Sequence, residues 1–441
     1  ALDHRLHQGQ DSAGDEGAAF AASLHNRSIP ESTFQENDHQ FLDINGQKIA
    51  VEGYSSATIT SPIATSSFSD GVDGFNELDS PRSITTTTIN GRDYALIQAY
   101  SDDGVQIVDI TDLSNPTPVT ALEHGATYTR LRHARNSAIT QFNGNTYALI
   151  TSHGTNEAPD NLNYADSGIQ IVNISDPSNP TPAGTIAHGE AYQLRGANSI
   201  TTRTANGKTY ALVTSTRDDC ISIINITDPT NPSLVKIIAK TDVGYSKLDG
   251  PRGLTTVEIG GSTYAVTASS SQDTVHIINI NDPENPSLAS SISDGGDLVL
   301  EDPQNVSTAS IGGKTYALVS SEEDDGVQII DISDPTAPTA TANFVQGGND
   351  SQGGTFDLLT KIRYISTVTI NNRDYALTAS KTDDLENGVS FVDISDPSDP
   401  LAVFKIKDGD LDSKGNQFNE LSGPYFIEPY TKNGNTYALV A

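Results

Sequence analysis

The strongest constraint on this chain is a segment of about fifty residues that recurs in tandem. Each copy contains a Tyr-Ala pair inside an apolar run, and successive pairs are 53, 63, 54, 52, 59 and 62 residues apart. The pairs begin at Tyr94, Tyr147, Tyr210, Tyr264, Tyr316, Tyr375 and Tyr437. A period of this length, made only of strand-like sequence, is typical of the blades of a β-propeller.

One copy, residues 81–125, predicts a four-stranded antiparallel meander. Residues 85–89 and 93–99 are rich in strand-forming residues, and an Asn-Gly pair between them suits a tight hairpin turn. Residues 105–110 form a third strand that is apolar on both faces, so neighbouring blades must cover it. A loop with two prolines leads to a short edge strand at residues 119–122.

The chain ends predict how the ring closes. Six full repeats span residues 81–409, and residues 410–441 supply only half a blade. Strand-like sequence at about 40–70 could supply the other half. We therefore predict an all-β fold, a seven-bladed β-propeller over residues 39–441, whose last four-stranded antiparallel blade is closed by both chain ends. An eight-bladed ring and a last blade completed by another subunit are the alternatives. Residues 1–38 are predicted to be a separate arm or tail.

The third strand of the repeat also indicates a family. It reads Gly-Val-Gln-Ile-Val-Asp-Ile from Gly104 and Gly-Val-Gln-Ile-Ile-Asp-Ile from Gly326, and an Asp-Pro-x-x-Pro turn follows most copies. Together with the Tyr-Ala-Leu-Val strand, this pattern resembles the LVIVD repeat family over roughly residues 81–441. The resemblance implies a β-propeller that binds or assembles at or outside the surface of a bacterial or archaeal cell. It implies no set of catalytic residues.

Composition limits the partners. The formal net charge is −32, from 57 acidic and 25 basic residues. Such a chain repels nucleic acid and anionic membranes, and it attracts divalent cations. No apolar run is long enough to span a membrane. The chain begins at Ala1 and contains no Met, which we interpret as the product of processing after export. These features predict an extracellular or cell-surface location.

The links between repeats gather polar residues near the mouth of the predicted channel. A Leu-x-x-Pro motif precedes four of these residues, and we place three others nearby in the remaining blades. The candidate ligand-binding residues are Arg82, His133, Asn198, Arg252, Gln304, Tyr364 and Tyr425. They form either a funnel for a small or extended ligand or a solvated blade entry. A basic group that could hold a carboxylate or sulfate, or pair with acidic neighbours, comprises Arg130, Arg132, Arg135 and Arg195.

Acidic turns are candidate metal sites. The chosen residues are Asp102, Asp103, Asp324 and Asp325 in turns between second and third strands, and Asp408, Asp410 and Asp412 in a longer link. Calcium prefers six to eight oxygen ligands, which makes it the candidate cofactor. Asp-Gly is also common hairpin-turn chemistry, and no copy has the spacing of a dedicated calcium loop.

The sequence contains no nucleophile elbow, phosphate loop or dinucleotide fingerprint. We therefore favour a non-enzymatic module for binding or assembly, with other protein subunits or surface glycans as partners. A homo-oligomer or polymer could form through the N-terminal arm or the split blade. The alternative is a calcium-dependent hydrolase with its site at the channel mouth. The sequence leans against an enzyme without deciding the question.

Overall fold

The computed structural model describes residues 18–24, 40–44, 47–51, 62–155, 166–189, 191–381, 387–421 and 423–441. In the first three of these segments it describes the backbone pairing alone. The described residues contain thirty β-strands and a short 3-10 helix, Ser270–Gln272. The prediction of an all-β fold is confirmed.

The strands follow one another through the whole described chain. The N-terminal strands are β1 (Ala18–Leu24), β2 (Gln40–Ile44), β3 (Gln47–Val51) and β4 (Ile63–Ser69). The first and second blades contain β5 (Pro81–Ile89), β6 (Arg92–Ala99), β7 (Gly104–Asp109), β8 (Thr117–Glu123), β9 (Ala134–Phe142), β10 (Asn145–Ser152), β11 (Gly168–Asn173) and β12 (Thr181–Ala187). The third and fourth contain β13 (Ala197–Ala205), β14 (Lys208–Ser215), β15 (Cys220–Asn225), β16 (Ser233–Ala239), β17 (Pro251–Ile259), β18 (Ser262–Ser269), β19 (Thr274–Asn279) and β20 (Ser287–Ser293). The fifth and sixth contain β21 (Pro303–Ile311), β22 (Lys314–Ser321), β23 (Gly326–Asp331), β24 (Thr339–Val345), β25 (Ile362–Ile370), β26 (Arg373–Ser380), β27 (Gly388–Asp393) and β28 (Leu401–Lys407). The C-terminal hairpin contains β29 (Ile427–Lys432) and β30 (Asn435–Val440).

Six blades are meanders of four consecutive antiparallel strands, as the repeat predicts. Neither a seventh nor an eighth blade of this kind is present among the described residues. The predictions of a seven-bladed and an eight-bladed ring of such meanders are therefore wrong, because the strands outside the six repeats do not pair in consecutive order. What these ends form instead is a mixed sheet.

The mixed sheet joins the two chain ends in the order β29-β30-β1-β4. Strand β1 lies between β30 and β4, with Ala22 opposite Ala438 and Ala21 opposite Ser66. The sequence places residues 18–24 in the predicted N-terminal arm, because alanine favours helix and these residues show no alternating strand pattern. Strands β2 and β3, expected in this sheet, pair with each other as a separate hairpin. The other predicted arm residues, 1–17 and 25–38, lie outside the described residues.

Apolar side chains fill the spaces between neighbouring sheets. The first strand of each blade is innermost and contacts the first strands of its neighbours. Strand β29 likewise contacts β25 on one side and β5 on the other. One buried cluster joins Leu377 and Phe391 of the sixth blade to Ile427 of the mixed sheet. The mixed sheet therefore lies between the sixth and first blades, and apolar side chains of these two blades pack against it.

Candidate functional site

The entry into each innermost strand repeats one five-residue pattern. It begins with a leucine, continues through two link residues to Pro, Ala or Ile, and ends with a larger polar or aromatic residue. The leucines are Leu78, Leu131, Leu194, Leu248, Leu300, Leu359 and Leu421. All of them are 0 % exposed, so each anchors its link in the core.

Backbone geometry turns the last residue of this pattern towards the centre of the ring. The third residue of each copy has a left-handed backbone, with φ between 50° and 68°. In each of the six blades, the pairing between the first and second strands shifts register within the first few residues of the innermost strand. Bulges of this kind re-aim side chains at the rims of β-structures.

The last positions of the seven copies form a ring with one residue from each sheet. They are Arg82, Arg135, Asn198, Arg252, Gln304, Arg363 and Tyr425. The predicted ligand-binding set contains five of these; it lacks Arg363, and Arg135 was predicted only as part of the separate basic group. The signal was present, because Leu131 and Leu359 stand four residues before these arginines. Ala134 and Ile362 stand in place of the proline, so neither copy contains the Leu-x-x-Pro motif.

The structure brings most of the predicted ligand-binding residues to one cavity of about 50 Å³. Its lining comprises Arg82, Arg135, Asn136, Asn198, Ser199, Arg252, Gly253, Gln304, Asn305, Arg363, Tyr364 and Tyr425. We call this cavity the mouth. Of the seven predicted residues, His133 alone is not in the lining. Its ring stacks on Tyr100 at 4.1 Å between centroids, and its backbone N–H donates to Asp103.

Four arginines meet at the mouth of a protein whose net charge is −32. Arg82 lies over the ring of Tyr425 at 4.1 Å and over that of Tyr100 at 4.7 Å. Arg135 also lies over the Tyr100 ring, 4.5 Å from its centroid, and its Nη1 donates to Tyr425 Oη at 3.5 Å. Arg252 Nε donates to Ser270 Oγ at 3.0 Å. These contacts orient the guanidinium groups without neutralising them.

Among the described residues, one of these four arginines forms an ion pair with a carboxylate. Arg363 pairs with Glu322, and its Nη1 donates to Gln304 Oε1 at 3.1 Å. Within the described part of the chain, Arg82, Arg135 and Arg252 form no ion pair with a carboxylate. Burial lowers the pKa of Arg82 and of Arg252 below the usual arginine value, although arginine stays charged at any physiological pH. The mouth thus holds positive charge that an anion would stabilise.

The positive charge of the mouth lowers the pKa of Tyr425. Burial alone would raise the pKa of Tyr425, but the nearby Arg135, Arg82, Arg363 and Arg252 outweigh it and lower the pKa to about 8. A phenolate is the negative group that the arginines would favour. The lowered pKa therefore reports the same positive potential that the ion-pair pattern indicates.

A second cavity, of about 230 Å³, adjoins the mouth and shares Asn136, Ser199, Asn305 and Tyr364 with it. We call it the channel. Hydroxyl and amide side chains dominate its wall, together with Glu428 of the mixed sheet. Burial raises the pKa of Glu428 to about 7 and raises that of Tyr364 well above its usual value. The channel is therefore polar but carries little negative charge below neutral pH.

The acidic turns that were predicted to bind calcium accept backbone hydrogen bonds. In four blades an aspartate of the turn between second and third strands accepts the N–H of a link residue in the next blade, at 2.7–2.9 Å. These pairs are Asp103 with His133, Asp219 with Gly250, Asp273 with Asp302 and Asp325 with Lys361. Asp102 and Asp324 accept the N–H of Asp79 and Glu301, in the links of their own blades. These carboxylates fasten the links to the rim.

The three aspartates of the longer link behave in the same way. Asp408 Oδ1 accepts the N–H of Leu421 at 2.8 Å, and Asp410 Oδ2 accepts that of Lys407 at 2.8 Å. Asp412 accepts the N–H groups of Lys414 and Asn416, both at 2.8 Å. Asp412 also accepts the Ala64 N–H at 3.2 Å, which ties this link to β4.

One acidic group of the described residues has ligand atoms close enough to share a metal ion. It comprises Asp302, Glu322 and Glu323, whose oxygens lie within 4.8 Å of one another. None of the seven predicted metal residues belongs to it. Glu322 already pairs with Arg363, and Glu323 pairs with Lys361 at 2.8 Å. Two cations thus compete with any metal at this position.

The other basic residues of the predicted group are paired. Arg130 and Arg132 lie 3.5 and 3.4 Å from carboxylate oxygens of Asp166, and Arg195 lies 3.1 Å from one of Asp218. Arg135 is the member that reaches the mouth. The predicted basic group is therefore divided between rim ion pairs and the candidate site.

A comparison with known families identifies the type of repeat. The model of the LVIVD repeat matches residues 91–122, 164–187, 313–345 and 382–408. The chain therefore contains four LVIVD repeats, each within a blade of its β-propeller. No curated protein matches its sequence. Among the described residues, none of the helical structure is long and apolar enough to cross a membrane.

Solved structures share the fold of this LVIVD-repeat propeller at low identity. A functionally unknown protein from Desulfotomaculum acetoxidans is 13% identical with a TM-score of 0.52, covering 82% of this chain and 93% of its own. A protein from Bacteroides fragilis proposed to be a 6-phosphogluconolactonase is 14% identical with a TM-score of 0.51, covering 93% and 98%. A protein from Lactobacillus plantarum is 10% identical with a TM-score of 0.54, covering 92% and 97%. Similarity at this level shows the architecture and leaves activity open.

Proposed function

We propose that this LVIVD-repeat propeller is a non-enzymatic binding module that captures an anionic group at the mouth of its channel, outside the cell or at the cell surface. The observation that carries the proposal is the convergence of Arg82, Arg135 and Arg252 on one cavity without carboxylate partners among the described residues. Arginines that are buried together lose hydration and repel one another, and a bound anion would offset both costs. The repeat family supports the location.

We also infer that the mixed sheet closes the ring between the sixth and first blades. Strand β29 contacts the innermost strands on both sides, and Tyr425 occupies the same position of the entry pattern as the arginines. Closure by both chain ends therefore completes the mouth as well as the ring. It also covers the apolar faces of the sixth and first blades that pack against the mixed sheet.

Calorimetric titration of the full chain with sulfate tests the binding function. Replacing Arg82 or Arg252 by Gln removes one charge while keeping length and polarity. Because a hydrogen bond to a charged group contributes about 1.5–3 kcal/mol, we expect sulfate affinity to fall roughly ten- to hundred-fold in each variant.

Lys236→Gln is the matched control, since Lys236 is exposed on the outermost strand β16 and loses the same charge. Its affinity should equal that of the unaltered protein. Equal affinity in Arg82→Gln, Arg252→Gln and Lys236→Gln, or no sulfate binding at all, would refute an anion site at the mouth.

A calcium-dependent hydrolase is the second candidate, and the group Asp302, Glu322 and Glu323 is the observation that favours it. Its ion pairs with Arg363 and Lys361 argue against it, because a metal would have to displace both cations. Calcium titration of chelator-treated protein separates the two functions. Calcium binding that Glu322→Gln abolishes would favour the hydrolase.

A further inference from the structure

The wall of the channel offers hydrogen-bonding groups that the fold does not use. Asn136, Ser199, Thr201, Thr255 and Asn305 face the cavity from four innermost strands. Their side-chain polar atoms have no hydrogen-bond partner among the described residues. Structural polar groups in a β-barrel-like core are normally paired, so these side chains are free for a ligand or for water.

A buried hydroxyl strengthens the case for a ligand. Ser366 lines the channel from β25, is 5 % exposed, and its Oγ has no partner. Leaving a buried hydroxyl unpaired is unfavourable, so such a group calls for an occupant that can pair with it. The surrounding wall presents other hydroxyls, including Ser307 and Thr367, whose oxygens lie 3.2 Å apart.

The size and charge of the two adjoining cavities restrict that occupant. Neither reaches the roughly 300–1,000 Å³ of sites for drug-sized ligands, so the ligand is small. The mouth is cationic, and the channel is lined by groups that donate and accept hydrogen bonds. Tyr364 lines both cavities and so lies at their junction. A ligand that matches both cavities carries an anionic group at one end and hydroxyls over the rest of its surface.

Resting on the proposed function, we propose that the ligand is a sugar acid, whose anionic group lies among the mouth arginines while its hydroxyls hydrogen-bond to the channel wall. The carboxylate engages Arg82, Arg135 and Arg252. The hydroxyls engage Thr201, Thr255 and Ser366, which lie deeper in the channel. An aliphatic acid of the same length satisfies the arginines but leaves the wall unpaired.

Titration calorimetry with matched ligands tests this proposal on the full chain. The ligands are sulfate, D-glucose, hexanoate and three uronates, D-glucuronate, D-galacturonate and D-mannuronate. Two or three additional hydrogen bonds predict that the best uronate binds roughly ten- to hundred-fold more tightly than hexanoate, which has the same carbon number and charge. Glucose, which lacks the charge, should bind more weakly than that uronate by a similar factor.

Variants in the channel provide the second arm. Thr201→Val with Thr255→Val removes two hydroxyls at nearly constant shape and should reduce uronate affinity about ten-fold, leaving hexanoate and sulfate unchanged. Thr185→Val, on the exposed outer strand β12, is the matched control. Far-ultraviolet circular dichroism verifies folding of each variant.

The outcomes separate this proposal from the proposed function. Equal affinity for hexanoate and every uronate, or a uronate preference that the channel variant retains, would overturn the sugar-acid proposal while anion binding stands. Glucose binding as tightly as the uronates, or no anion binding, would overturn both. A uronate preference that the channel variant removes and the Thr185→Val control retains would support both proposals.

Discussion

The carboxylate of Asp325 offers the sharpest test of whether the acidic turns build the rim or bind metal. Asp325 Oδ1 accepts the N–H of Lys361 in the next blade at 2.7 Å. Asp325 itself has φ of 50°, a left-handed backbone that aspartate, asparagine and glycine tolerate best. Three substitutions therefore separate the hydrogen bond from the backbone conformation.

The expected losses of unfolding free energy follow from these two features. Asp325→Ala removes a hydrogen bond to a charged group, about 1.5–3 kcal/mol, and adds about 1–2 kcal/mol for a left-handed alanine. Asp325→Gly loses the same hydrogen bond without the backbone penalty. Asp325→Asn keeps an acceptor and a tolerant backbone, so we expect a loss of about 1 kcal/mol. The predicted order of stability is Asn, then Gly, then Ala.

Urea unfolding, followed by far-ultraviolet circular dichroism and tyrosine fluorescence, measures these losses, since the chain has 16 Tyr and no Trp. Each measurement is made with calcium and with a chelator. The order should be the same in both conditions if Asp325 acts through Lys361. Destabilisation that appears only with calcium, or three variants as stable as the unaltered protein, would refute the rim role.

Two further predictions concern the mouth and the closure of the ring. Because the pKa of Tyr425 is lowered to about 8, its phenol is neutral below that pH and becomes an anion above it, so sulfate affinity should fall several-fold between pH 7 and pH 9. Calorimetry at the two pH values measures this step, and an unchanged step in Tyr425→Phe would contradict it. Deleting residues 1–24 removes β1 and exposes the edges of β30 and β4, so we expect a loss of several kcal/mol, at about 0.5–1.5 kcal/mol per lost hydrogen bond, and concentration-dependent association. Deleting residues 1–17 keeps β1 and is the control in thermal unfolding and light scattering; equal behaviour of the two deletions would show that β1 does not seal the sheet.

The repeat made the blades predictable because their determinants are local. Turn residues, prolines and apolar runs recur in each copy, and each copy folds into the same four-stranded sheet. The mixed sheet was harder, since its strand order depends on pairing between residues more than 300 positions apart in the sequence. Residues 18–24 contain four alanines and carry no strand signal of their own. Residues 18–24 form a strand because they pair with strands distant in sequence, and local propensity therefore does not predict this strand.

The residues of the candidate site are spread along the sequence and do not form a linear motif. Each blade contributes one residue at the last position of the entry pattern, so neighbours in the mouth are about fifty residues apart in the chain. Proline at the fourth position marked Arg82 and Arg252, whereas Ala134 and Ile362 concealed Arg135 and Arg363. The buried leucine is the invariant element within this chain, because it fixes the link in the core whatever residue follows. Aligning the copies on that leucine, rather than on the proline, brings all four arginines to one position and makes the positive mouth visible before any coordinates are known.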